Sequence, residues 1–284
     1  MKKLIMPFLT VLVFSCSNIS GQKTKFEETI NKEFKVASNS VLAVYNINGS
    51  ISVEGYNGDK VLIEVDKTIS GKTSEILEEG LKEFKLEFEQ KGDSVIVFIA
   101  EPWDSRPQVR HWNKKEKKIQ YEHNLNFRIK VPQNLNLDIS TINDGDITVN
   151  QVEGFMKVNN INGAITVNNA KNANEIHTIN GDVNITYASL PPDNAKYYTL
   201  NGKLTVEFPE DLSADCSFKS FNGEFFTNFE NIEKLPSKIQ KIVNTNGNET
   251  THKLNQGSKI RIGKGGKDLN FETFNGNIYI KKKS

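Results

Sequence analysis

An all-β fold built from stacked repeats is what this 284-residue sequence predicts. Three observations carry that reading. A short unit recurs, its spacing is regular, and asparagine occurs 34 times. Asparagine is unfavourable in helix interiors and tolerates left-handed turn conformations, so its abundance favours strands and turns. The unit is apolar-Asn-Gly-x-apolar-x-apolar, found at residues 47–53, 161–167, 179–185, 200–206, 221–227 and 274–280. A variant with one inserted residue occupies 142–149. The marker glycines Gly145, Gly163, Gly181, Gly202 and Gly223 are spaced 18, 18, 21 and 21 apart. Self-similarity at a nearly fixed period marks a repeat architecture.

The columns around the glycine define the strands. Two and four residues after it stand apolar residues such as Ile165 and Val167, the period-two alternation of a half-buried strand. Five before it lies another apolar column, which includes Val158, Ile176 and Tyr197; three before it stand small polar residues such as Asn160, Thr178 and Thr199. An Asn-Gly pair between strands usually signals a two-residue hairpin. In a hairpin, Ile161 and Ala164 would share a face, yet Ala164 is replaced by Ser50, Asp182, Lys203, Glu224 or Asn277 in other copies. Apolar residues at −2, +2 and +4 instead keep one face if the chain bends at the glycine and continues. The expected architecture is therefore a single-stranded β-solenoid, with β-helix-like coils of about 18–21 residues and one short helix. An antiparallel β-hairpin repeat or sandwich is the alternative. The glycines are expected where the backbone needs unusual angles, and the Asn and Thr columns can form hydrogen-bonded ladders.

Composition removes several function classes. The chain is 37% hydrophobic and 25% charged, with Lys+Arg 36 against Asp+Glu 35. That balance excludes a disordered tail, a polytopic membrane protein and a strongly basic nucleic-acid binder. Two cysteines exclude a disulfide scaffold or a Cys-rich zinc module. Residues 1–21 read as an export signal, with Lys2 and Lys3 ahead of an apolar run from Leu4 to Phe14. Two processing routes fit: a lipoprotein signal ending before Cys16, which would then carry the lipid, or cleavage near Gly21-Gln22 to release a soluble periplasmic chain. Either route places the protein in a bacterial envelope, and Cys216 is expected to be a small buried apolar residue.

Residues 22–284 are expected to form one β-repeat domain, with a non-repeat excursion at 66–132. Within the excursion, residues 73–84 carry Leu77, Leu81 and Phe84 at helical spacing, with Gly80 as a weak point. Residues 86–89, 95–100, 125–131 and 135–139 read as strands.

Three segments resemble the bacterial putative-adhesin family of β-strand repeats: residues 48–65, 135–229 and 260–283. The resemblance implies a β-solenoid-like domain of the cell envelope, with no enzymatic activity and no catalytic residues.

Candidate chemistry is concentrated in residues 103–123. Trp103, Trp112 and Tyr121 stand there among Arg106, Arg110, Lys114, Lys115, Lys117 and Lys118. Aromatic and cationic side chains interleaved in this way can stack on sugars and pair with phosphate or carboxylate. Trp103, Arg106, Arg110 and Trp112 are the expected ligand-binding residues. The expected partner is an envelope glycan or an anionic surface ligand, not a nucleic acid, and the membrane is engaged only through a lipid on Cys16. The histidines show no metal-ligand spacing, the turn at residues 143–146 lacks an EF-hand pattern, and residues 263–266 lack the P-loop order. No metal or cofactor is expected. The expected function is a non-enzymatic exported envelope protein with a structural or adhesin-like binding role. The alternative is a polysaccharide-acting enzyme on the same scaffold, which would need paired carboxylates on one exposed face.

Overall fold

Strands on either side of an Asn-Gly corner do not pair with each other. Asn172–Asn180 lies in an eleven-stranded sheet, and Val183–Tyr187, just past Gly181, lies in a ten-stranded one. Each runs parallel to its counterparts in neighbouring copies: Ile176 sits beside Val158 and Tyr197, and Ile185 beside Val167 and Val206. The hairpin alternative is thereby overturned. A hairpin would close both strands into one sheet, whereas here the chain turns a corner and the apolar columns stack on themselves. The computed structural model describes residues 23–92, 94–107, 118–236, 240–246, 249–255 and 257–283. The export signal and Cys16 lie outside those residues.

The result is a mostly β protein of two mixed, largely parallel sheets with one short helix. A strand from each sheet, joined through a corner, makes a rung, and the described residues contain eight rungs paired in parallel. The first rung is Ser94–Glu101 with Glu122–Pro132, and the second is Val41–Tyr45 with Ile51–Tyr56. Four rungs within residues 136–208 follow in chain order. The seventh is Lys267–Asn275 with Ile278–Lys282, and the eighth is Ala214–Asn222 with Phe225–Thr227. The last copy in the sequence is thus threaded between two earlier ones. Residues 66–132, which lack the Asn-Gly unit, supply the first rung.

Antiparallel strands flank the stack. At the first rung, Lys60–Gly71 and then Thr24–Lys35 extend one sheet, and Lys85–Lys91 ends the other. The helix Ser74–Glu83 packs beside them, its N-terminus capped by the Thr73 hydroxyl. Gly80 is a close-packing position rather than a weak point, because a Cβ there would press on the ring of Tyr121. At the eighth rung, Ser258–Ile262 and Ile232–Leu235 extend only the sheet that contains Ala214–Asn222.

Buried residues of both sheets form one apolar cluster, which includes Val158, Ile165, Val167, Ile176, Val183 and Ile185. Each such side chain contributes about 1.5–3 kcal/mol of burial free energy, so the columns are the main source of stability. Cys216 is in this cluster, free and fully buried, and burial pushes its thiol up to about 12. The expected position of the −2 column is corrected. Ile161 is 36% exposed and Phe221 is 73% exposed, while the polar residue one position earlier is buried, as in Thr178 and Thr199 at 0%. The corner shifts the alternation by one residue, so −5, −3, +2 and +4 face inward.

Candidate functional site: the corner edge

Three ladders run along the edge where the corners stack. The innermost joins buried polar side chains that precede the corner to a glycine carbonyl of the adjacent rung. Thr178 donates to Gly163 at 2.9 Å, Thr199 to Gly181 at 2.8 Å, Asn160 to Gly145 at 3.0 Å and Thr141 to Gly49 at 2.8 Å. These donors satisfy carbonyls at the partly buried corner, that of Gly49 being fully enclosed. Two buried members differ: Asn46 donates to the carbonyls of Leu125 and of its own Gly49, and the Thr273 hydroxyl has no partner.

Close stacking also explains the glycines. A Cβ at Gly163 would collide with the Gly145 carbonyl, one at Gly181 with Gly163, and one at Gly202 with Gly181. Positive φ is confined, among the corner glycines, to Gly49 and Gly276. Rung-to-rung approach, rather than unusual backbone angles, is therefore the general reason for glycine at the corner.

The second ladder is made of side-chain amides and is exposed to solvent over most of its length. Asn143 donates to Asn48 at 3.2 Å, then Asn162 to Asn143, Asn180 to Asn162, Asn201 to Asn180, Asn275 to Asn201 and Asn222 to Asn275, all at 2.8 Å. Asn48 in turn lies 3.4 Å from Nε2 of His123, which is 5% exposed and stacks at 4.7 Å on Phe84. Burial holds the His123 pKa down to about 4, so the ring is neutral near pH 7.

The third ladder is the outward apolar column, and it ends in an aromatic pair. Phe221 and Phe274 stack at 4.8 Å with ring planes 6° apart, and they are 73% and 44% exposed. With rungs about 4.8 Å apart, an edge of this kind runs roughly 30 Å.

Within the excursion, the segment bearing the predicted site, residues 102–121, leaves the stack at this same edge, because it joins the two strands of the first rung where other rungs have their corner. Ser105 pins it there: its hydroxyl donates to the Tyr45 carbonyl at 2.7 Å and accepts from Ile99 N–H at 2.9 Å. Trp103 is 37% exposed. Arg106 is turned onto its own protein, with its guanidinium 3.9 Å above the ring of Phe98 and its Nε donating to Asp104 at 2.9 Å. Asp104 raises the Arg106 pKa further, so the group is a permanent but already paired cation. Arg110 and Trp112 lie outside the described residues, as do His111 and Lys114, Lys115 and Lys117.

Among the described residues no group of three or more His, Cys, Asp or Glu side chains is placed to hold a metal ion. Asp146 and Asp182, in the column an enzyme would use, each accept a backbone N–H from the next rung at 2.7 Å. His177 packs at 4.5 Å against Tyr198. The reasoning from sequence did not single out the exposed apolar column, the Phe221–Phe274 pair or Ser105. The signal for the first two was present, since the −2 column is apolar in every copy although polar residues surround it.

The chain is similar to bacterial putative adhesins over 90% of its length. A putative cell adhesion protein from Clostridium sporogenes is 13% identical, with 90% of this chain and 100% of that chain covered and a TM-score of 0.41. A putative adhesin from Bacteroides fragilis is 10% identical, with 90% and 97% covered and a TM-score of 0.32. A putative lipid binding protein from Parabacteroides distasonis is 9% identical, with the same coverage and a TM-score of 0.26. No protein-family model and no curated protein matches the chain.

Proposed function

We propose that the chain is a non-enzymatic, exported β-solenoid of the bacterial envelope that binds an extended ligand along its corner edge. The observation that carries the reading is the place where the Trp103 excursion emerges. It leaves the first rung at the edge that holds the exposed Asn ladder, and Ser105 anchors it against the second rung. Loops on a rigid repeat scaffold are where binding concentrates. The ladder offers amide donors and acceptors, the apolar column offers stacking surface, and the cations of the excursion attract negative charge from a distance. An acidic envelope glycan matches all three properties and the length of the edge. Trp103 and Trp112 supply the stacking, Arg110 supplies the ion pair, and Arg106, already paired with Asp104, shapes the excursion. Export rests on residues 1–21, and on the lipoprotein route Cys16 is the lipid-bearing residue.

The test is binding of the processed chain to an array of acidic and neutral bacterial glycans, alongside a Trp103→Ala/Trp112→Ala variant. Capture of acidic glycans that the variant loses, at an unchanged melting temperature, supports the proposal. An array that stays blank, or a variant that binds as well as the parent, overturns it. Fractionation of cells producing Cys16→Ser tests the anchor separately: the lipid route requires the variant to move from membranes to the soluble fraction.

A further inference from the structure

Six ladder corners carry the dipeptide Asn-Gly: Asn48-Gly49, Asn162-Gly163, Asn180-Gly181, Asn201-Gly202, Asn222-Gly223 and Asn275-Gly276. Asn-Gly is chemically the most labile of the asparagine dipeptides, because glycine lets its own backbone nitrogen approach the preceding side-chain carbonyl without hindrance. The stack restrains that nitrogen in five corners. The amide of Gly49 donates to Asn143 at 2.9 Å, and those of Gly163, Gly181, Gly202 and Gly276 donate at 3.0 Å to Asn180, Asn201, Asn275 and Asn222. Gly223 belongs to the eighth rung, beyond which no further corner stacks, and its N–H meets no acceptor among the described residues.

The side chains differ in the same direction. Asn162, Asn180, Asn201 and Asn275 each donate one ladder bond and accept another, so two bonds must break before the amide can turn. Asn222 only donates, to Asn275, and its Oδ1 ends the ladder. Asn222, Gly223 and Glu224 are all exposed.

We infer that Asn222 is a site of spontaneous deamidation and that stacking protects the other five ladder corners. The Gly223 nitrogen attacks Cγ of Asn222 and a carbon–nitrogen bond forms. The bond from Cγ to Nδ2 breaks, and ammonia departs with the proton that Gly223 gave up. Water then opens the five-membered succinimide at either carbonyl, which leaves aspartate or isoaspartate at position 222. The product places a carboxylate beside the Phe221–Phe274 pair and removes the donor to Asn275. The isoaspartate form also lengthens the backbone by one methylene and takes the corner out of register. The terminal rung is therefore the one whose surface chemistry changes with age.

The experiment is peptide mapping of the folded processed chain after incubation at mildly alkaline pH. Trypsin leaves Asn162, Asn180, Asn201, Asn222 and Asn275 in five different peptides, because lysines separate them. The mass gain of amide hydrolysis, with isoaspartate as the main product, is expected at Asn222 about tenfold faster than at the other four, since those must open locally first. In urea, where the stack is gone, all five should react at similar rates. Equal rates in the folded chain, or an Asn222 that reacts no faster folded than its neighbours, overturns the inference. Asn222→Gln should suppress modification of that peptide without changing the other four.

Discussion

The buried Thr199 hydroxyl donates to the partly buried Gly181 carbonyl of the adjacent rung at 2.8 Å. Its counterpart Thr273 is also buried and has no partner. Two threonines in one column therefore carry opposite consequences. Thr199→Val keeps the shape and removes the donor to a partly buried carbonyl, at an expected cost of about 0.5–1.5 kcal/mol. Thr273→Val removes an unpaired hydroxyl and should be neutral or stabilising. Urea unfolding of both variants decides this, and equal losses would mean that the column acts by shape alone.

Corner glycines should tolerate no side chain. Gly181→Ala drives a Cβ into the Gly163 carbonyl, a clash that only separation of two rungs relieves, and should cost more than about 3 kcal/mol or prevent folding. Gly92 makes the control: its φ is +60° with open space around it, so Gly92→Ala should cost only about 1 kcal/mol. Thermal melts of the pair would show whether the gap is real.

Stability should fall in mild acid because of His123. Burial lowers its folded pKa to about 4, below the unfolded value of about 6.5. Between those values the unfolded chain binds the proton first, so stability declines as the pH drops through this window and levels off below it, by about 3 kcal/mol in all. Asp66 and Asp215, held low by Arg128 and Arg261, lose their contributions only at more acidic pH. His123→Leu should flatten the dependence between pH 6.5 and 4; an unchanged slope in the variant assigns it to other groups.

Ser105→Ala should release the excursion from the edge. It removes a donor to Tyr45 and an acceptor for Ile99 N–H, with an expected loss of about 1–3 kcal/mol. Faster proteolytic cleavage within residues 102–121 is the accompanying sign, and unchanged cleavage would mean that other contacts hold the segment.

Much of the corner was legible in the sequence. The +2 and +4 columns, the −5 column and the Asn ladder all follow from repeated residue types at fixed offsets. Position −2 departs from the pattern because period-two alternation does not continue through the glycine: the corner introduces a one-residue shift, so Thr178-type residues rather than Ile161 occupy the core. Of the binding segment, composition picked out Trp103 and Arg106, but pairing of Arg106 with Asp104 depends on the turn between them and on Phe98 below, which composition does not encode.

The repeated unit by itself determined that this is a strand-rich protein, that each copy bends at Asn-Gly, and that like residues stack on like. Those properties are local or follow from translation of one unit onto the next, so they need no knowledge of partners far along the chain. Rung order was decided only by tertiary structure. Gly202 and Gly223 are neighbours in the regular series of markers, yet Gly276 stacks between them, and Ser94–Glu101 with Glu122–Pro132 forms the first rung without an Asn-Gly corner. Because every copy presents nearly the same parallel edge, the sequence pattern fits several orders equally well. In the folded chain antiparallel strands occupy the two ends, beside Glu122–Pro132 and Ala214–Asn222, which are thereby the terminal rungs.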